Sequence, residues 1–360
     1  MSFIRTFFQA KEAVKQLVDG SAYRKPEASS PLSDEFKQII ERDVLPLLEP
    51  LEQYRLEKLA SKNWRKTWFF RLGWLLWVPA LILDIATLVS GDLSLLTLFA
   101  LIGCGVWVFW PHVQYMRRYK EKLLPVLLQA FGDYEYDESG CIDLKAVESF
   151  EILPSYSSKT SEDCIRGVVD GVAFEFCELE LKRSSGNSST TAHDGGALLL
   201  TMPFSFSGYT VVRTDYGKVG NVLAAPLRRD RVALENPEFE KRFEVYGSDQ
   251  QYARYLLTPA MMERIIALDE LFRARAQGSG ITCEFRGDKA LFMLSYFGDL
   301  MEVADIDVSA FDLDRMPLLE QELAMITGII HQLKLDWLAA RNLAGQQFSE
   351  AVADTGTADR

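Results

Sequence analysis

Asp84 lies inside an apolar run, Leu72 to Val89. An ionised acid at the centre of such a helix costs about 2.5–3.5 kcal/mol on insertion scales. An acid held there can contact a partner helix, or carry a proton or ion in an oligomer. It sits about six residues from the end of the run, so it can equally reach the outer interface. His193-Asp194 sets an imidazole beside a carboxylate, a pairing used in acid–base chemistry. It falls within Arg183–Gly196 (RSSGNSSTTAHDGG), which reads as a flexible polar loop and a poor place to hold a catalytic pair. Glu178/Glu180 and Asp305/Asp307 sit two apart in extended or loop regions, where a solvated acidic face is the simpler account. With three histidines in 360 residues, a His-rich metal site is not expected. No phosphate-cradling G-x-x-x-x-G-K-[ST] loop, G-x-G-x-x-G turn, H-E-x-x-H helix, nucleophile elbow or kinase signature occurs. No catalytic, cofactor-binding or metal-binding residue is therefore assigned, and no cofactor is expected.

The elements that would position these residues are dominated by two apolar runs. LGWLLWVPALILDIATLV (72–89) and LSLLTLFALIGCGVWVFW (93–110) are separated only by Ser90-Gly91-Asp92. Each is near the lower limit for crossing a hydrocarbon core of roughly 30 Å. Together they predict a two-helix transmembrane hairpin. Arg55, Lys58, Lys62, Arg65, Lys66 and Arg71 precede the first run. Arg117, Arg118, Lys120 and Lys122 follow the second, and the turn has no Lys or Arg. Positive flanks stay in the cytoplasm, so both termini are expected there, in a multi-pass protein of the inner (cell) membrane. Trp64, Trp68, Trp74 and Trp77, with Trp107, Trp110, Tyr115 and Tyr119, would form an interfacial belt on that side. Ala100, Gly103, Cys104 and Gly105 could admit a second helix closely, so a homo-oligomer is one reading.

Charge divides the chain. Residues 1–125 carry net +4 and residues 126–360 net −16, giving −12 in all. An acidic domain is a poor partner for phosphate backbones, so nucleic acid is not expected. The bilayer is the expected partner of the basic flanks. Five scattered cysteines, with no C-x-x-C pair, should stay reduced in a cytoplasmic domain.

In order, 1–32 reads as an amphipathic helix and linker, the helix either lying on the membrane or packing on the protein's own helices. Residues 33–67 read as a cytoplasmic helical stalk capped by Ser33 and disturbed by Pro46 and Pro50. The hairpin occupies 68–112, and a second stalk helix 113–132. Residues 133–343 read as an α+β domain with a mostly antiparallel sheet and flanking helices, because hairpin signals such as Asp170-Gly171 and Gly287-Asp288 dominate. A phase slip along Val172–Lys182 predicts a bulge near Cys177. Thr258-Pro259 opens a helix, a last helix spans Met316 to about Asn342, and 344–360 reads as a disordered tail.

Phe239-Glu240-Lys241-Arg242-Phe243-Glu244-Val245-Tyr246, then Asp249 and Ala253 to Pro259 (ARYLLTP), resemble the signature of an uncharacterised bacterial membrane family, domain of unknown function family 3137. Phe206, Gly208 and Thr210-Val211-Val212 resemble its earlier block, and Asp163 to Gly167 (DCIRG) one earlier still. The resemblance covers about Asp163 to Val303 and the paired spans. Between Lys182 and Met202 the sequence departs from it by a longer polar insertion. The resemblance implies a membrane location and no established activity. It also implies a protein partner, since members occur beside LemA-like membrane proteins. Glu240, Asp249 and Arg254 are its polar members, placed there for structural pairing or for interaction.

The function expected is a membrane-anchored cytoplasmic interaction or scaffold module bound to another membrane or cytoplasmic protein. The alternative is an uncharacterised, hydrolase-like membrane-associated enzyme with a non-standard site. A third reading is an oligomeric conduit using Asp84.

Overall fold

Ser33 accepts from the Phe36 amide and caps α1 (Asp34–Ile39), the first helix of the described chain. The computed structural model describes residues 31–89, 96–169, 171–185, 188–214, 230–276, 280–296, 300–302 and 304–328. The expected N-terminal helix, the turn at 90–92, the last helix beyond 328 and the tail lie outside the described residues. The chain forms two units: 1–130 with 303–320, and 131–302 with 321–360.

In the first unit α2 (Leu45–Val89) and α3 (Leu96–Leu128) are continuous helices of 45 and 33 residues that pack on one another. At 1.5 Å per residue they reach roughly 65 and 50 Å, more than a hydrocarbon core requires. The stalks and the apolar runs are therefore single rods. Pro50 does not split α2. The distortion lies earlier, in a π-helical stretch at Ile40–Val44. Pro46 has no N–H to continue the regular ladder, and a wider turn relieves that. A bend of 42° separates Asp34–Leu75 from Trp77–Thr87, and Pro79, which cannot donate to the helical ladder, lies just past it. Thr97–Leu128 is long and apolar enough to cross a membrane, and the bent pair meets that standard only when taken as one span. Phe36, Val44, Leu48, Tyr115, Leu123 and Leu127 are buried and make the stalk core.

A strap from the unit's second segment grips α2. The Arg55 guanidinium, 2.7 Å from Glu52, donates to the Ile306 carbonyl at 2.8 Å. Glu52 also accepts from the Ala310 amide at 2.7 Å, and Lys62 pairs with Asp307. Arg55 holds the Glu52 carboxyl down at about 2, with the Ala310 amide adding to the effect.

The second unit is α+β, built on one eight-stranded antiparallel sheet. Its strands are β1 (Tyr134–Ser139), β2 (Ser158–Val169), β3 (Val172–Ser185), β4 (Ser188–Thr201), β5 (Tyr209–Thr214), β6 (Phe243–Gly247), β7 (Gly280–Arg286) and β8 (Lys289–Ser295), in the order β1-β2-β3-β4-β8-β7-β5-β6. Period-2 alternation sorts the side chains. Phe174, Phe176, Leu198, Leu200, Phe292, Phe285, Val212 and Val245 share one face and are buried. Helices α4 (Pro237–Arg242), α5 (Gln250–Leu256) and α6 (Pro259–Ala276) pack against β6, β7 and β8. The opposite face is closed too. Ile142, Leu144, Val147, Phe150 and Ile152 cover Cys177, Leu179, Leu199, Leu291 and Met293. This cover includes a one-turn 3-10 helix, Leu144–Val147, capped by Asp143.

Three details differ from expectation. Of the expected loop Arg183–Gly196, the described residues 183–185 and 188–196 are strand: β3 and β4 pair out to Ser185 and Ser188, with a register shift between Leu181 and Lys182. Polar Ser and Thr suit an exposed extension of a hairpin that is apolar only near its base. The bulge sits opposite Cys177, on β2 between Glu162 and Ile165, where Asp163 has φ 51. Finally, Cys164 at this bulge is joined to Cys141 in a disulfide, Cα–Cα 5.7 Å. Spacing along the chain gave no sign of that pair, because the sheet brings the two together.

Candidate functional site

Each of the four polar positions singled out from sequence has a backbone partner. Asp84 on α2 accepts from the Thr97 amide at 2.9 Å. It therefore serves the first turn of α3, whose amides have no partner within the helix and whose dipole favours negative charge. Asp249 accepts from the Tyr252 amide at 2.9 Å and caps α5. Glu240 accepts from the Leu234 amide at 2.8 Å, and Arg254 donates to the Ala233 carbonyl at 3.2 Å. The three family residues thus do not pair with one another. Two of them fix the same strip of chain, 233–234, beside β6. The helix α4 that carries Glu240 was missed in the sequence, although Asn236-Pro237 signals it. Asn236 caps the Glu238 and Phe239 amides and Pro237 takes the first helical position.

His193 and Asp194 lie in β4. His193 sits opposite Leu181, is 7% exposed, and its Nε2 has no hydrogen-bond partner among the described residues. Burial pushes the imidazole down to about 4, against a hydrogen bond with the Gly196 backbone. It is a neutral core residue at pH 7. Glu284 is fully buried on the same sheet face as the 141–153 cover. It accepts from Arg286 Nε at 2.7 Å and from the Ile152 amide at 3.1 Å. Burial raises its pKa, while Arg286 and the amides oppose that. Arg286 lies 4.8 Å over the Tyr209 ring, and the Tyr209 hydroxyl donates to Asp230 at 2.6 Å. This network ties the cover to the sheet. Among the acid pairs, Glu180 meets Lys182, Glu178 accepts from the Leu300 amide, and Asp305 accepts from the Asp307 amide. Among the described residues no group of three or more His, Cys, Asp or Glu is placed to hold a metal.

The first unit contains a cavity of about 320 Å³ between α2 and α3. Tyr54 lines it from α2. Trp110, Val113, Gln114, Arg117, Arg118 and Glu121 line it from α3. These α3 positions recur at three and four residues, so they share one helical face. Arg117 Nε and Arg118 Nη1 stand 3.4 and 3.6 Å from the Glu121 carboxylate. Lys58 Nζ lies 4.9 Å from the Tyr54 ring centroid on the α2 side. Nearer the apolar runs, Arg65 donates to the Trp107 carbonyl at 2.8 Å, and the Trp64 and Trp107 rings are 6.1 Å apart. The groove therefore sets aromatic rings beside two arginines that are paired with Glu121.

Comparison with curated proteins returned no match. Among solved structures the chain is similar to "crystal structure of the mycobacterial trehalose monomycolate transport factor A, TtfA", at 12% identity, covering 60% of this chain and 94% of that one, with a TM-score of 0.30. At that TM-score the likeness supports no inference. Residues 191–335 match the family described as "Protein of unknown function (DUF3137)". That matched stretch contains the Phe239–Pro259 block and all three of Glu240, Asp249 and Arg254.

Proposed function

We propose that the protein is a membrane-anchored interaction or scaffold module: a two-helix transmembrane hairpin that presents an α+β domain on the cytoplasmic side. The observation that carries this reading is the exposure of the apolar rods. Phe70, Trp74, Leu81, Ile82, Ile85, Leu98 and Phe99 are each about half exposed or more. Only 17% of the most apolar stretch of Thr97–Leu128 is buried within the molecule. A core helix of a soluble protein would hide that surface, and lipid is the medium that tolerates it. The positive flanks favour cytoplasmic termini. The disulfide points the other way, since cytosolic proteins seldom keep one. The flanks act during insertion, whereas adjacent cysteines stay thiols in a reducing compartment.

A scaffold role, with another membrane or cytoplasmic protein or a second copy as partner, is supported by the domain's construction. Both faces of its central strands are filled by its own apolar side chains, and the buried acids Asp163, Asp269, Glu284 and Glu322 are held by a tyrosine hydroxyl, by arginines or by backbone amides. That arrangement also weighs against the enzyme reading, which needs converging polar groups in an enclosed pocket.

Alkaline carbonate washing of membranes should leave the protein in the pellet, and fusion reporters at the C-terminus should be active only in the cytoplasm. Affinity capture in mild detergent should recover the same protein partner repeatedly, or a homo-oligomer. Release by carbonate would end the membrane reading. Recovery only as a lone monomer would end the scaffold reading.

A further inference from the structure

We infer that Cys141 and Cys164 form a reversible oxidation site: thiols in the resting cell, and a disulfide that locks the 141–153 cover onto the sheet when a peroxide reaches Cys141. The inference rests on the cytoplasmic placement proposed above, because a reducing compartment keeps such a pair as thiols until an oxidant arrives.

Three sulfurs converge at the start of the cover. Cys164 stands in the β2 bulge, which faces Cys177 across the β2–β3 ladder. Cys141 joins Cys164, and its sulfur lies 3.8 Å from the Phe176 carbonyl oxygen. The Cys177 sulfur accepts from the Ser161 hydroxyl at 3.3 Å and from the Ile142 amide. The three differ in access. Cys141 is partly buried, whereas Cys164 and Cys177 are fully buried. An oxidant therefore meets Cys141 first, and a second thiol lies directly behind it to resolve the product. Burial pushes the Cys177 thiol up to about 11, which makes Cys177 the poorer competitor for Cys141.

The chemistry runs in two steps. The Cys141 thiolate attacks one oxygen of hydrogen peroxide. The O–O bond breaks, leaving a sulfenic acid and a hydroxide that takes up a proton as water. The Cys164 thiolate then attacks the sulfenic sulfur. The S–S bond forms, the S–O bond breaks, and a second water leaves. Two thiols and one peroxide thus give one disulfide and two waters, and thiol reductants reverse the change by exchange. What the bond alters is the cover. Its far end is held by the Ile152 amide on Glu284 at 3.1 Å and by Arg213 on the Glu151 carbonyl at 2.8 Å. At its near end the Gly140 amide donates to the Ser161 carbonyl at 3.2 Å. Without the disulfide, hydrogen bonds and packing alone hold that end, so it opens more readily. Cys177 lies beneath it and reports the opening.

The test uses cells expressing the full chain, quenched in acid and alkylated before mass spectrometry. Resting cells should show Cys141 and Cys164 as thiols. Brief hydrogen peroxide should link them, and dithiothreitol should release them. C164S should trap a sulfenic acid at Cys141 with dimedone, C141S should trap none at Cys164, and C177S should form the link as wild type does. In detergent, Cys177 should be alkylated on the order of tenfold more slowly in oxidised than in reduced protein. Peroxide that left both thiols intact would overturn the inference. So would dimedone on Cys164 in C141S, loss of the link in folded C177S, or equal alkylation of Cys177 in the two states. A link already complete in resting cells separates two failures. With the C-terminal reporter active in the cytoplasm, the disulfide is a permanent staple and this inference alone falls. With the reporter inactive there, the cytoplasmic reading fails first.

Discussion

His193 shows how burial converts a reactive residue type into a structural one. Its folded-state pKa is held near 4, against about 6.5 in an unfolded chain. As pH falls, the unfolded chain binds the proton first. The contribution of neutral His193 is therefore complete above about pH 6.5 and is lost as pH drops towards 4, on the order of 3 kcal/mol in all. Denaturation midpoints measured at several pH values should show this slope, and His193→Leu should flatten it. A variant with the wild-type slope would mean that the imidazole is not the group responsible. Asp84 makes a similar case in the apolar rods. As a cap on α3, its replacement by Ala should cost about 1 kcal/mol, read as a lower melting temperature in detergent. Asp84→Asn keeps an acceptor and should cost less. Altered ion or proton flux in Asp84→Asn with unchanged melting would favour the conduit role instead.

Among the elements, the strap at 304–310 is tied to α2 chiefly through Glu52 and Arg55. Arg55 keeps the Glu52 carboxylate ionised down to about 2, while an unfolded Glu titrates near 4.3. That stabilisation is complete above the unfolded value and is lost as pH falls from there through about 2. It amounts to at most about 3 kcal/mol. Glu52→Gln should loosen the strap at neutral pH, seen as faster amide exchange at Ala310. Exchange at the wild-type rate would place the hold elsewhere. The β4 strand has its own constraint at Gly195, with φ 142. A Cβ there would come within 2.1 Å of the Leu294 carbonyl oxygen, so the close approach of β8 requires glycine.

For the molecule as a whole, the disulfide decides how firmly the second unit's edge is fastened. It closes a separation of 23 residues between Cys141 and Cys164, which in the chain-entropy account stabilises by about 3 kcal/mol when oxidised. Oxidised protein should resist denaturant better than protein treated with dithiothreitol, and Cys141→Ser should remove the difference. No difference in wild type would show that the pair stays as thiols. The two units also carry opposite requirements. The first exposes apolar side chains along its rods, and the second buries both sheet faces in its own chain. On the proposed reading the first is the anchor and the second the module it carries.

Periodicity and punctuation in the sequence determined the helical rods, the basic flanks, the antiparallel hairpins at Gly171 and Gly287, and the Phe239–Pro259 block, because each is set by neighbours a few residues apart. Trp110, Arg117 and Arg118 stood out in the sequence as an interfacial aromatic and a basic flank, but the groove they line with Tyr54 did not. Tertiary structure alone decided that Tyr54 lies opposite Arg117, that Cys141 meets Cys164, that 141–153 closes the sheet, and that the polar stretch before Gly196 is strand. Each of these depends on chain segments brought together by burial of apolar surface and by cross-strand pairing. A local pattern carries no record of which distant partner will satisfy it.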